Sequence, residues 1–416
     1  MALLEPQVNL SAQNLNNQNL AGQDGTGANL SQIVAQNTIF DDAILVGANF
    51  READLFRASF TGADLTGADL TLSAGQQANL TNAILVGAQL DSSNFASEQS
   101  ERTQFVGANL TDASAISADL VAADFTNAIL RNVNFQSANL EGVLFDNVNA
   151  SGANFQLTNF TDASVNNANF NNANLSGVSI TDTSFNGTTF VGANLSEVSG
   201  EDLRLSGSNF QNAILTSASL ADTDLSGGNF GNVNAENVFL EAANLAAANF
   251  NGADLSGANL NRAIATGANF TGGVELDNAF LAGVDFRNAD LSGANLTGVN
   301  LTGADLSGAN LTGADLSGAN LTEAILVGTQ LEDTLLIGAN FNKANLDGAN
   351  FSDGADADNI GADLTNATFV DAIATNANFS NGLLVNAELI KTDFTGADLT
   401  DADLSGATIV DTIGLS

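Results

Sequence analysis

The chain has 416 residues, with 47 Asp and Glu against nine Lys and Arg, for a formal charge of −38. That balance disfavours direct binding to nucleic-acid phosphate. It contains no Cys and no His, which removes disulfides, thiolate metal sites and any serine–histidine or cysteine–histidine nucleophile.

Residues 1–9 form a short N-terminal segment. Its start, Met1-Ala2-Leu3-Leu4-Glu5-Pro6, lacks the basic stretch and long apolar run of a secretory leader. No apolar run approaches the roughly 20 residues that span a bilayer. The expectation is a protein without a membrane span, either cytoplasmic or exported by a route that uses no cleaved N-terminal signal.

From Leu10 the chain repeats every five residues. Of the 53 fifth positions from Leu10 to Phe270, 42 are Leu or Phe, and the breaks include Gly25, Gly75, Ser100 and Gly200. Ala dominates two residues before each site, as at Ala28, Ala48 and Ala53, and Asn or Asp usually stands just before it. At 3.6 residues per turn, a period of five would spray these side chains around a helix, and along a flat strand it would alternate faces. A coil that turns a corner every five residues keeps Leu/Phe and Ala inside and leaves turn-forming Gly, Ser, Thr, Asn and Asp outside. Phe170, Phe190, Phe210, Phe230, Phe250 and Phe270 recur every 20 residues, so four sides make one coil and these rings form a structural core column. Asn209, Asn229, Asn249 and Asn269 run beside it and can bond from coil to coil, as in stacked cross-β segments.

Farther on, the sites shift to Leu276 and Leu281, placing one inserted residue within 271–273, and all 16 sites from Leu276 to Phe351 are Leu or Phe. The pattern resumes at Leu364, which implies a three-residue insertion near 354–356, and continues to Ile409. Residues 10–410 thus read as one solenoid with two interruptions, followed by a tail at 411–416. About 20 coils at the strand spacing of about 4.8 Å give a rod roughly 95 Å long. Neither end carries the amphipathic period of a capping helix.

This unit resembles the pentapeptide-repeat family over nearly the whole chain, from Val8-Asn9-Leu10 to Ala407-Thr408-Ile409, and Ala314-Asp315-Leu316-Ser317-Gly318 is close to the family consensus. The resemblance implies an all-β, right-handed quadrilateral β-helix. It also implies a spread of functions, since some members protect DNA gyrase by presenting an acidic, DNA-like surface. Those members are about half this length and dimerise through a specialised C-terminal element that this sequence lacks.

Three surface features are candidates for function. Asp353, Asp356 and Asp358 lie in Ser352-Asp353-Gly354-Ala355-Asp356-Ala357-Asp358, and closely spaced carboxylates beside a Gly are how chains often supply the hard oxygens that calcium takes. Duplex DNA carries one charge per about 1.7 Å, and 38 charges on this rod come to one per about 2.5 Å, which makes charge mimicry physically credible. The first repeats carry Gln13, Gln18 and Gln23 in place of Ala, a polar coil that could pair with the open end of another copy. The expected function is therefore non-catalytic: a structural rod that associates with itself head to tail into a fibre. The alternative is an acidic mimic that occupies a DNA-binding protein such as gyrase.

Overall fold

A computed structural model describes residues 4–96, 102–200, 203–354 and 360–415. They form two compact units, residues 1–209 and 210–416. Each is a four-sided β-helix.

The corner is the local event from which the rest follows. In Leu311-Thr312-Gly313-Ala314 the Ala314 N–H donates to the Leu311 carbonyl at 2.9 Å, and Gly313 has φ 67°. An i to i+3 bond with a positive φ at the third residue is a type II turn. The second residue after nearly every described Leu/Phe site adopts this left-handed conformation, including Leu157 (φ 58°), Asn232 (φ 53°) and Lys343 (φ 58°). For residues with a Cβ the conformation costs about 1–2 kcal/mol, so the stacked coils hold these corners against local preference.

Stacking comes from backbone pairing between residues 20 apart. Leu296 N–H donates to Asp315 O at 2.7 Å, Asp315 N–H returns to Ala294 O at 3.0 Å, and Gly298 N–H reaches Ser317 O at 2.8 Å. The resulting parallel bridges, such as Asn295↔Asp315, run down all four sides of each unit. Among the described residues one ladder widens into longer strands: β1 (Glu388–Ile390) pairs in parallel with β2 (Thr408–Val410), Leu389 opposite Ile409.

Inside, the Leu/Phe and Ala rows are buried, with Ala314 and Leu316 at 0% exposure. In residues 210–416 the rings of Phe210, Phe230, Phe250 and Phe270 stack at 4.9, 4.7 and 4.9 Å with planes within 8°. Residues 1–209 hold similar stacks, Phe40 on Phe60 at 4.8 Å and Phe105 on Phe125 at 4.4 Å. These separations are close to the strand spacing, so one coil rise sets both backbone pairing and ring contact. Thr replaces Ala inside at several places and satisfies its hydroxyl upward: Thr183 Oγ1 donates to Phe160 O at 2.7 Å and Thr329 Oγ1 to Leu306 O at 2.8 Å.

The glycine breaks in the Leu/Phe row have a packing cause. A Cβ on Gly75 would lie 2.0 Å from the Phe95 ring, and one on Gly200 would lie 2.8 Å from Ile180. A neighbouring coil fills each space.

Register changes in three places. Pairing runs 20 apart through Ala74↔Asn94, then 25 apart from Asn79↔Gln104 to Asn94↔Asp119, and returns to 20 at Gln104↔Asp124. The chain therefore has five residues more between Phe95 and Phe105 than one side of the coil needs, and Thr103 Oγ1 closes the neck by donating to Phe95 O at 2.8 Å. The spacing of fives runs through this insertion without a step, and Ser100 is its one mark in the sequence. At Asp254↔Glu275 the offset becomes 21, where Gly272 and Gly273 both have positive φ. At Leu335↔Asp363 it becomes 28, so eight residues are added there where site spacing alone suggests three. Ala362 N–H donates to Phe351 O at 2.9 Å, which makes Phe351 and Leu364 consecutive sites of one coil.

Candidate interaction surface

The outward rows are built by the residue before each Leu/Phe. Asn or Asp there turns its Oδ1 onto the N–H two residues on, as Asp315 does to Ser317 at 2.9 Å and Asn249 to Asn251 at 3.2 Å. This Asx bond satisfies a corner N–H that pairs with no backbone carbonyl of a neighbouring coil; at some corners an Asn or Asp of the adjacent coil does so instead, as Asp41 Oδ1 does for Thr61 N–H at 3.0 Å. The Asx bond explains why Asn and Asp dominate the row. A following Thr or Ser adds its hydroxyl to the same oxygen, as Thr395 does to Asp393 at 2.6 Å. Such bonds favour the ionised form. They hold Asp24, Asp393, Asp398 and Asp403 below the usual carboxylate range, the side-chain hydroxyl being the larger cause in each.

The amide groups left over link the coils. Asn249 Nδ2 donates to Asn229 Oδ1 at 3.1 Å and Asn269 Nδ2 to Asn249 Oδ1 at 3.0 Å. The same face continues with Asn310 Nδ2 donating to Asp290 at 3.0 Å.

Positive charge is largely consumed within the surface. Arg287 pairs with Asp285 at 2.6 Å and lies 3.8 Å from Asp305, Lys343 pairs with Glu323 at 3.3 Å, and Arg262 pairs with Glu241. Arg287, through its side-chain hydrogen bond, also holds Asp285 low. Arg102 donates to the carbonyls of Ala122 and Gly142 at 2.7 and 2.8 Å, clamping two coils beside the five-residue insertion. The carboxylates, by contrast, are spread over the outward rows of every face, with Asp254 and Glu275 adjacent in one ladder.

The sequence-derived sites are placed as follows. Phe170, Phe190, Phe210, Phe230, Phe250 and Phe270 are all 0–2% exposed. Asp353 has Oδ1 buried and without a hydrogen-bond partner, while its neighbour Gly354 donates to Asp333 Oδ1 at 2.8 Å. Asp356 and Asp358 lie outside the described residues. Among the described residues no group of three or more Asp or Glu side chains is arranged to hold a metal ion.

Two features escape the repeat pattern. First, one side of the opening coil is filled from outside the repeat: Leu4 is 3% exposed, its N–H donates to Gln23 Oε1 at 2.7 Å, and a Cβ on Gly25 would touch Leu4 Cδ2 at 3.0 Å. Gly25 thus makes room for Leu4, and Gln23 stands where Ala normally does in order to hold it. Second, two Phe side chains face solvent, Phe239 at 49% and Phe280 at 56% exposure. An open hollow of about 190 Å³ is lined by Gln156, Leu157, Ser176, Gly177, Asn194, Ser196 and Glu197, without the converging acid–base groups of a catalytic cleft. No described helix is long and apolar enough to cross a membrane.

The family model described as "Pentapeptide repeats (8 copies)" matches residues 36–71, 103–142, 128–167, 138–177, 158–199, 204–241, 240–274, 279–318, 314–353 and 375–409. Solved structures that resemble the chain include three proteins of this repeat class. QnrB1, a plasmid-mediated fluoroquinolone resistance protein, is 22% identical and aligns over 47% of this chain and 88% of its own, with a TM-score of 0.36. HetL, involved in heterocyst differentiation in the cyanobacterium Nostoc, is 29% identical over 61% of this chain and 86% of its own, TM-score 0.17. Rfr23 from the cyanobacterium Cyanothece is 22% identical over 33% and 91%, TM-score 0.21. Comparison with curated proteins finds no match.

Proposed function

The chain belongs to the pentapeptide-repeat family of right-handed quadrilateral β-helices, and on that premise we propose that it is a non-catalytic protein that works by presenting an acidic surface to a cationic, DNA-binding partner such as a topoisomerase. The observation that carries this reading is the asymmetry of the charges. Several of the few cations are tied to carboxylates or carbonyls of their own surface, while carboxylates stand on the outward rows of all faces. The partner therefore meets a field of nearly one sign, of the kind that steers oppositely charged proteins.

Competition with DNA tests it. Micromolar protein is expected to inhibit supercoiling by DNA gyrase at low salt and to lose the effect as salt rises, because exposed charges are screened over about 10 Å at 0.1 M. Full supercoiling activity in the presence of the protein at low salt overturns the reading.

A second reading, head-to-tail association of copies into a fibre, is favoured by β2: Thr408–Val410 is exposed at all three residues and carries a row of backbone groups of the kind that recruits a further strand. Leu4 opposes it on one side of the opening coil, where it already lies over Gly25. Negative-stain images of concentrated protein in salt show filaments on this reading, and uniform single particles reject it.

A further inference from the structure

Of the 26 Phe side chains, nearly all face inward; Phe239 and Phe280 stand in the outward row at 49% and 56% exposure. Ile and Val recur in that row, as β-branched residues suit a bridge position. A phenyl ring occupies it at these two positions. They share one face of residues 210–416, because Phe239 bridges to Asn259 and Asn259 to Phe280. With one coil between them the rings lie about 10 Å apart.

Between and beside the rings the surface is polar and acidic. Asn259 Nδ2 donates to Glu241 Oε2 at 3.3 Å, and Glu241 also holds Arg262. Asp277 accepts from Ser256 Oγ at 2.8 Å and from Asn278 Nδ2 at 2.8 Å, and Glu236 occupies the corner before Phe239. Residues 219–283 hold seven Asp and Glu against one basic residue, Arg262, which is already paired. Two half-exposed rings framed by unbalanced carboxylates match a partner that is both cationic and apolar, and repel one that is apolar and acidic.

We propose that Phe239 and Phe280 are the anchor of a docking face for a basic segment that carries apolar side chains, supplied by a partner protein. The proposal rests on the acidic-surface reading and names where on that surface the short-range contact is made: charge brings the segment in, and the two rings hold it.

Two labelled 12-residue peptides of equal charge test this with the full chain, one alternating Lys and Leu, the other alternating Lys and Ser. Fluorescence anisotropy at about 0.1 M salt is expected to show the Lys–Leu peptide binding at least about tenfold tighter, as aromatic anchors do. The double variant Phe239→Asn, Phe280→Asn carries the row's usual residue and is expected to melt like the parent. It should bind both peptides equally, at the affinity the parent has for Lys–Ser. A Lys–Leu preference that survives in the double variant, or is missing from the parent, overturns the docking face while Lys–Ser binding leaves the acidic-surface reading intact. Failure of the parent to bind either peptide overturns both. A parent dimer that becomes monomeric in the double variant assigns the face to contact between copies and overturns the partner proposal.

Discussion

Replacing Phe230 by Ala is expected to lower stability by about 3–5 kcal/mol, the usual cost of emptying a packed aromatic site. Phe230 is 2% exposed and sits between Phe210 at 4.9 Å and Phe250 at 4.7 Å, so truncation strips contact from both faces of the ring and from two adjoining coils. A coil in a solenoid is supported by its neighbours alone, which leaves no distant element to collapse into the space. Asn229, next to it and facing outward, is the internal control. Its Oδ1 accepts from Gly231 N–H at 3.2 Å and from Asn249 Nδ2 at 3.1 Å, and each net hydrogen bond is worth about 0.5–1.5 kcal/mol. Urea melts of the two alanine variants at one salt concentration should separate them clearly. Equal losses would contradict the inward and outward assignment of the two rows.

Restoring the repeat consensus at Gly75 is expected to do harm. Leu is the commonest residue at that phase, yet Gly75→Leu should destabilise by about 1–3 kcal/mol or more, as overpacking does, because the Phe95 ring already lies 2.0 Å from where the new Cβ would stand. The ring is itself 0% exposed. Phe95→Ala alone should also destabilise, by leaving a cavity. Combined, the two changes should cost less than the sum of their separate effects, since each relieves the defect made by the other. Additive losses in thermal melts of the four proteins would show that the glycine is not shaped by that ring.

Much of this architecture is legible in the sequence because a single physical demand, burial of one large and one small side chain per corner, recurs without change. The inward Phe and Ala rows, the 20-residue coil and the Asn229–Asn249–Asn269 ladder all follow from periodicity. Periodicity fails where the chain obeys something else. The insertion between Phe95 and Phe105 adds one whole period, so counting by fives passes through it. The eight residues before Leu364 look like three for the same reason, five of them being invisible to the count. Gly25 reads as a broken repeat until Leu4 is seen above it, a contact between residues whose separation is not a multiple of the coil. The surface is harder still. The outward row accepts Asn, Asp, Ile or Phe on one backbone, so Phe239 and Phe280 satisfy no rule of the fold. Their shared face appears only when coils are aligned through Asn259.

The closed necks at Phe95–Thr103 and Phe351–Ala362 act as splice points in the stack. Coils on either side of each neck pair normally although five residues are added at one and eight at the other, so continuity of the ladders does not demand an insertion of whole fives. The two necks are therefore natural ports, at which a foreign loop, an epitope or a small folded module can be grafted while the ladders above and below stay continuous.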